Sequence, residues 1–277
     1  MEHGRRDPWP AGLEPHPDRT GARRAARRLR EMLMAMLARR RDELAAGGAQ
    51  RGDLLDRLLD ARDPESGRAM DDSEIVDNLI TFVAAGHETT AQALGWTLDL
   101  LARHPRVMAE VSAEIDAVTR GGCVLPEHLV HLVLTRRVLE EGMRLFPPAP
   151  IIGREVQDGF ALERLGGLEV EPVATIIVPI WAVHRHRRLW DEPGQFDPDR
   201  FLPERVASRH RYTWLPFGVG PRVCIGAGFA MLEGMAILAV LLARLRFVPA
   251  DPSTPAPRMA ITLRPATPLR LRPLLRG

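Results

Sequence analysis

Between Thr20 and about Ala46 the apolar residues Leu29, Met32, Leu33, Met36 and Leu37 recur every three or four positions among arginines. That spacing predicts an amphipathic helix with a basic outer face. A shorter amphipathic segment, Asp53 to Ala61, follows Gly47-Gly48 and ends at the breaker run Asp63-Pro64-Glu65-Ser66-Gly67. Asp71, Asp72 and Glu74 suit the positive end of a helix dipole, so a long helix starts there and runs through Ile75, Leu79 and Val83 to about Arg103. Pro105 opens another, to about Val118, and Gly121-Gly122 separates it from a third over roughly His128 to Leu145. Pro147-Pro148 stops the third, because a residue before proline is pushed out of the helical region.

From Ile151 to Val183 the pattern changes to β-branched clusters such as Thr175-Ile176-Ile177-Val178, which predict short strands with turns at Gly153, Gly159 and Gly166-Gly167. A proline-containing stretch without period runs from Arg185 to Pro216, followed by the glycine-rich Phe217 to Gly228 and an apolar helix to about Ala243. The last residues, rich in Pro and Arg, read as edge strands. The fold class expected is mainly α with a small β portion. Its organisation is a loose lead-in over 1–18, a helical segment over 19–70 and a core over 71–277.

Composition narrows the choices. The 277 residues are 45% apolar and 27% charged, which suits a buried core and excludes a disordered tail or a disulfide-stapled mini-protein. All basic residues are arginine, and the formal net charge is only +2, so no polyanionic partner is indicated. The nine arginines from Arg19 to Arg41 lack interleaved aromatics, and a solvated helix face is preferred to a nucleic-acid surface. Met1 to Pro10 has no apolar core of a secretory signal, and the apolar stretch Gly234 to Ala243 is too short to span a membrane. A cytoplasmic protein without a membrane segment is expected.

Two cysteines are too few for a disulfide framework. Cys123, between Gly122 and Val124, reads as a small buried hydrophobe. Cys224 is different, because it sits in a glycine-rich turn that opens a helix, Phe217-Gly218-Val219-Gly220-Pro221-Arg222-Val223-Cys224-Ile225-Gly226. Backbone N–H groups and the helix dipole there favour a thiolate, the form that ligates metal. The glycines admit a flat ligand close to the backbone, and Arg222 is suited to a carboxylate.

The pattern Phe-x-x-Gly-x-Arg-x-Cys-x-Gly resembles that of the haem-thiolate monooxygenases, the cytochrome P450 superfamily. Two further segments fit. Glu141-Gly142-Met143-Arg144 places a carboxylate and a guanidinium one turn apart, a pair that alone is commonplace. Phe196-Asp197-Pro198-Asp199-Arg200-Phe201 resembles the loop whose arginine joins that pair in the family. The resemblance implies that Glu141, Arg144 and Arg200 lock the loop that presents Cys224. Ala85-Gly86-His87-Glu88-Thr89-Thr90 is a weak spot in the long helix, where the Thr89 hydroxyl can bond the Ala85 carbonyl and bend it. A buried polar kink is the plainer reading. In the family the position of Thr89 bonds the bound dioxygen and that of Glu88 relays protons.

The resemblance also implies haem b (iron protoporphyrin IX), held by Cys224 as the metal ligand, with Phe217, Gly218, Arg222, Gly226, Arg154 and Ala85 around it. Arg154 is equally well an ordinary loop arginine, and His184-Arg185-His186 reads as a solvated segment leading to Trp190. Gly142, a poor helix former, and Arg187, where proline is frequent, depart from the family pattern. The implied activity is insertion of one oxygen atom from O2 into a small organic substrate, with electrons from a separate ferredoxin- or flavoprotein-type donor. The oxygen motif lies at 85–90, whereas members carry a long region before it, so the expectation is a P450 fold truncated at its N-terminus, of bacterial type. The alternative is an inactive chain that keeps the motifs and binds haem weakly at most.

Overall fold

The computed structural model describes residues 19–156 and 174–276. The lead-in over 1–18 and the turns expected at Gly159 and Gly166-Gly167 lie outside the described residues. Eight α-helices are described: α1 (Arg19–Ala45), α2 (Leu54–Asp60), α3 (Asp72–Arg103), α4 (Pro105–Thr119), α5 (Val133–Leu145), α6 (Ile180–Val183), α7 (Pro203–Ala207) and α8 (Ala227–Leu242). Six short strands accompany them: β1 (Ile152–Glu155), β2 (Thr175–Val178), β3 (Leu245–Pro249), β4 (Pro257–Met259), β5 (Leu263–Pro265) and β6 (Leu271–Leu275). They pair antiparallel as β1–β2, β3–β6 and β4–β5. The chain divides within α3 into two compact units, Met1–Ala85 and Gly86–Gly277.

In the first unit Leu33 and Leu37 of α1 pack with Leu55 of α2 and with Ile75, Val76 and Leu79 of α3. The helical periodicity that predicted α1 is the row of residues it buries. Arg40, on the same helix, is buried and grips both oxygens of Asp53, at 2.9 and 2.7 Å, and one oxygen of Asp56. Asp53 caps α2 by accepting from the Asp56 N–H, so one arginine ties the loop to the helix start.

The second unit is built on α4, α5 and α8. Val111 and Ile115 of α4, Val138 and Leu139 of α5, and Leu238 and Leu242 of α8 share one core with Leu94 and Leu101 of α3. A satellite core stacks Trp96 on Phe146, ring centroids 4.0 Å apart and planes 4° from parallel. Gly142, expected as a weak point of α5, has a packing reason. A Cβ there would stand 2.2 Å from Thr97 Oγ1, so only glycine lets α5 approach α3 this closely.

Several expectations are corrected. The helix expected over His128 to Leu145 is broken at Leu132 into a 3-10 segment, Pro126–His131, and α5. Glu114 of α4 reaches the start of α5 and accepts from the N–H groups of Leu134 and Thr135 at 2.6 and 2.8 Å, capping a helix from another helix. Ile180–Val183, placed among strands, is a helical turn after Pro179. The stretch 185–216 contains 3-10 turns at Pro198–Phe201 and Arg211–Thr213 beside α7. Helix α3 continues unbroken through Ala85–Thr90. Cys123 is exposed, not buried, because the turn of Gly121 and Gly122 after α4 carries it to the surface. His184, read as solvated, is fully buried.

Candidate functional site

Helix α5 carries Glu141 and Arg144 inward, and both side chains are sealed from solvent. Arg144 donates through Nε to Glu141 at 2.6 Å and through Nη2 to its other oxygen at 2.8 Å. The remaining donors of that guanidinium reach backbone carbonyls of the irregular stretch: His184 and Pro193 at 2.8 Å and Gln195 at 3.0 Å. Such a segment has few regular backbone bonds of its own, and the planar fork supplies substitutes. Glu141 in turn accepts from the Asp197 N–H at 2.9 Å. Arg200 joins less directly, with Nε 3.5 Å from Glu141 and Nη2 donating to the Glu192 carbonyl at 2.9 Å. The expected trio is therefore assembled, but Arg144 rather than Arg200 makes most of the loop contacts.

The same stretch leads to Cys224. Buried His184 accepts the Leu215 N–H at Nε2, 2.7 Å away, and Trp214 Nε1 donates to the Glu140 carbonyl at 3.3 Å. Burial first, and then the charge of Arg144, push the His184 imidazole down to about 3, so it stays neutral and can accept that bond. Beyond Leu215 the chain turns through Gly218 and Gly220, with φ of +73° and +78°, a backbone region that favours glycine. The Cys224 N–H closes the turn on the Phe217 carbonyl at 2.9 Å, and the Cys224 carbonyl accepts from Ala227, the first residue of α8.

Cys224 is exposed, flanked by exposed Val223 and Ile225. Space is open where Gly218 or Gly220 would carry a Cβ, while at Gly226 a Cβ would meet the Cys224 sulfur at 3.8 Å. Arg222 is exposed, and among the described residues no hydrogen bond or ion pair engages it. Arg154 on β1 bonds the Val219 carbonyl at 3.3 Å, which ties that strand to the turn. Among the described residues, no cluster of His, Cys, Asp and Glu gathers as a multi-ligand metal site. An exposed sulfur in an apolar turn, with open space at Gly218 and Gly220 and both free and tethered arginines, fits a flat apolar macrocycle with carboxylate edges that one sulfur would hold.

On α3, Thr89 Oγ1 donates to the Gly86 carbonyl at 3.5 Å, Ala85, Gly86 and His87 are exposed, and no Cβ-sized obstacle stands at Gly86. Glu88 turns to the C-terminal hairpin. It bonds the Thr262 hydroxyl and accepts from Arg264, Nε at 2.7 Å and Nη2 at 2.6 Å. The Thr262 bond and then Arg264 hold its carboxyl below the usual range. Neither hairpin residue carries a motif, and both lie more than 170 positions away, so only the fold discloses them. His184 was legible as a residue but not as the pin of the loop.

Residues 7–272 match the family model described as cytochrome P450. The chain belongs to the cytochrome P450 family. Cyclooctatin synthase of Streptomyces melanosporofaciens is 38% identical over 90% of this P450 chain and 53% of its own. Pentalenene oxygenase of Streptomyces avermitilis is 40% identical over 71% of this chain and 43% of its own. The crystal structure of the cytochrome P450DA heme domain superposes with a TM-score of 0.80 at 32% identity, over 90% of this chain and 53% of that one. This P450 chain spans about half the length of the relatives it matches. Among its described residues, no helix is long and apolar enough to cross a membrane.

Proposed function

We propose that the protein binds haem b through Cys224 and inserts one oxygen atom from O2 into a small organic substrate. The observation that carries this reading is the exposed Cys224 in its open turn of Gly218 and Gly220. Relatives named cyclooctat-9-en-7-ol 5-monooxygenase and pentalenene oxygenase support an oxygenase reaction. When bound, haem supplies the redox chemistry of iron; the chain supplies ligation, orientation and protons. Cys224 ligates, and Phe217, Gly218 and Gly226 frame the ligand. Arg222 and Arg154 are suited to its carboxylates, Ala85 on α3 is a further residue of the proposed set, Thr89 offers a hydroxyl to the oxygen, and Glu88 handles protons.

In this reading residues 71–277 are the haem-binding core, preceded by the helical segment 19–70. Electrons come from a separate donor of ferredoxin or flavoprotein type, in a bacterial cytoplasm. A second reading has its own support. Helix α8 is apolar apart from Glu233, yet Phe229, Leu232 and Val240 on one side are 70%, 52% and 55% exposed. A chain with that face uncovered can keep the motifs and hold haem weakly or not at all. The carbon monoxide difference spectrum of the reduced, haem-reconstituted chain decides between them. A red-shifted thiolate Soret band that disappears in Cys224→Ala supports the monooxygenase reading. No haem uptake supports the second, and a band retained in Cys224→Ala rejects the ligand assignment.

A further inference from the structure

We propose that Arg264, with Thr262, is a positioning residue for Glu88, a latch that holds the carboxylate against the C-terminal hairpin and must open before Glu88 can pass a proton. The inference rests on the monooxygenase reading above, and its geometry stands on its own. Leu263 is buried, its carbonyl accepts from Trp96 Nε1 of α3 at 3.1 Å, and its N–H donates to the Pro148 carbonyl at 3.0 Å. The hairpin is thus fastened to the helix that carries Glu88. Side chains two apart along an extended chain share a face, and Thr262 and Arg264, on either side of Leu263, both reach Glu88.

Charge gives the contact a purpose. In the β4–β5 register Arg264 faces Arg258, a like-charged cross-strand pair that is unfavourable by itself. Glu88 offsets it. Among the described residues His87, its neighbour on α3, also acts on Glu88 and favours its charged form. Arg264 is 51% exposed and Glu88 27%, so water competes for the pair and the latch opens at small cost. While held, Glu88 is ionised and carries no proton; once free of Arg264 it takes one from solvent hydronium, leaving water, and passes it on in the reaction. Removing Arg264 leaves the acid without its opposite charge, and its carboxyl moves up toward the ordinary range.

The test follows the Glu88 carboxyl carbon by NMR against pH in the full chain labelled at its glutamates, assigned through Glu88→Gln. Arg264→Gln is expected to raise the midpoint, and Arg264→Lys to restore much of the native value. An unchanged midpoint in Arg264→Gln overturns the proposal whether or not haem is bound. The second arm uses the haem-loaded chain supplied by a ferredoxin and its reductase. There the solvent deuterium isotope effect on O2 uptake falls in Arg264→Gln and returns in Arg264→Lys; equal effects in native and variant chains also overturn it. If the midpoint moves but the chain takes up no haem, the monooxygenase reading fails instead and takes the proton-delivery role with it.

Discussion

Arg144 grips both oxygens of Glu141 while three backbone carbonyls, those of His184, Pro193 and Gln195, occupy the rest of its donors. A fully buried charge with every partner on protein atoms leaves an uncompensated partner behind when it is removed. Arg144→Gln is expected to cost about 3–5 kcal/mol in urea unfolding. Arg144→Lys should recover only a part, since a point charge cannot reproduce the bidentate fork. Losses below about 1 kcal/mol for Arg144→Gln, the scale of exposed pairs, would show that the pair does not hold the loop.

His184 gives the same loop a pH dependence. Its imidazole is pushed from 6.5 down to about 3, chiefly by burial. Below pH 6.5 the unfolded chain therefore binds a proton that the folded chain refuses. The contribution of neutral His184 is complete above about 6.5 and is lost as pH falls from there through about 3. Within that window the native chain should lose about 1.4 kcal/mol of stability per pH unit more than His184→Gln, whose side-chain carbonyl can still accept the Leu215 N–H. Parallel stability profiles for the two chains between pH 6.5 and 4 would contradict a neutral buried His184.

Thr89 sits on α3 with its hydroxyl turned back to the Gly86 carbonyl, where Ala85 and Gly86 leave the helix surface open. In the proposed reaction that hydroxyl is the group offered to the oxygen. Thr89→Ala is expected to keep haem uptake and the thiolate Soret band while diverting electrons to hydrogen peroxide. Peroxide formed per electron pair consumed is the quantity to measure. Unchanged product yield in the variant would remove Thr89 from the proton path.

Much of the site was legible because its chemistry is local. The ten residues from Phe217 to Gly226 contain both the ligand candidate and the glycines whose positive φ opens its turn, and the Glu141–Arg144 spacing puts both groups on one helix face. What escaped is carried by contacts across the chain. The break at Leu132 depends on Glu114, some twenty residues away, because apolar periodicity runs on through Leu129, Leu132 and Val138. Burial of His184 depends on Leu215 and Arg144 closing around it. The attachment of Glu88 to Thr262 and Arg264 joins the middle of the chain to its end.

Gly142 is the sharpest case of a residue whose sequence cost has a three-dimensional cause. In a helix interior glycine is about 1 kcal/mol worse than alanine, so propensity alone favours Gly142→Ala. Here the added Cβ would fall 2.2 Å from Thr97 Oγ1 and 3.2 Å from Thr97 Cβ, on the facing helix α3. Thr97 is fully buried and its hydroxyl donates to the Ala93 carbonyl at 2.7 Å, so it has no open rotamer to retreat to without giving up that bond. Overpacking of this kind costs about 1–3 kcal/mol, more than the propensity gain. Gly142→Ala is therefore expected to lower the urea midpoint, and the double variant Gly142→Ala/Thr97→Ala to recover most of the loss, since the clashing hydroxyl is gone. A double-mutant cycle reads this as a favourable coupling between the two alanines. Additive effects would mean that α5 and α3 do not approach each other as closely as the structure shows.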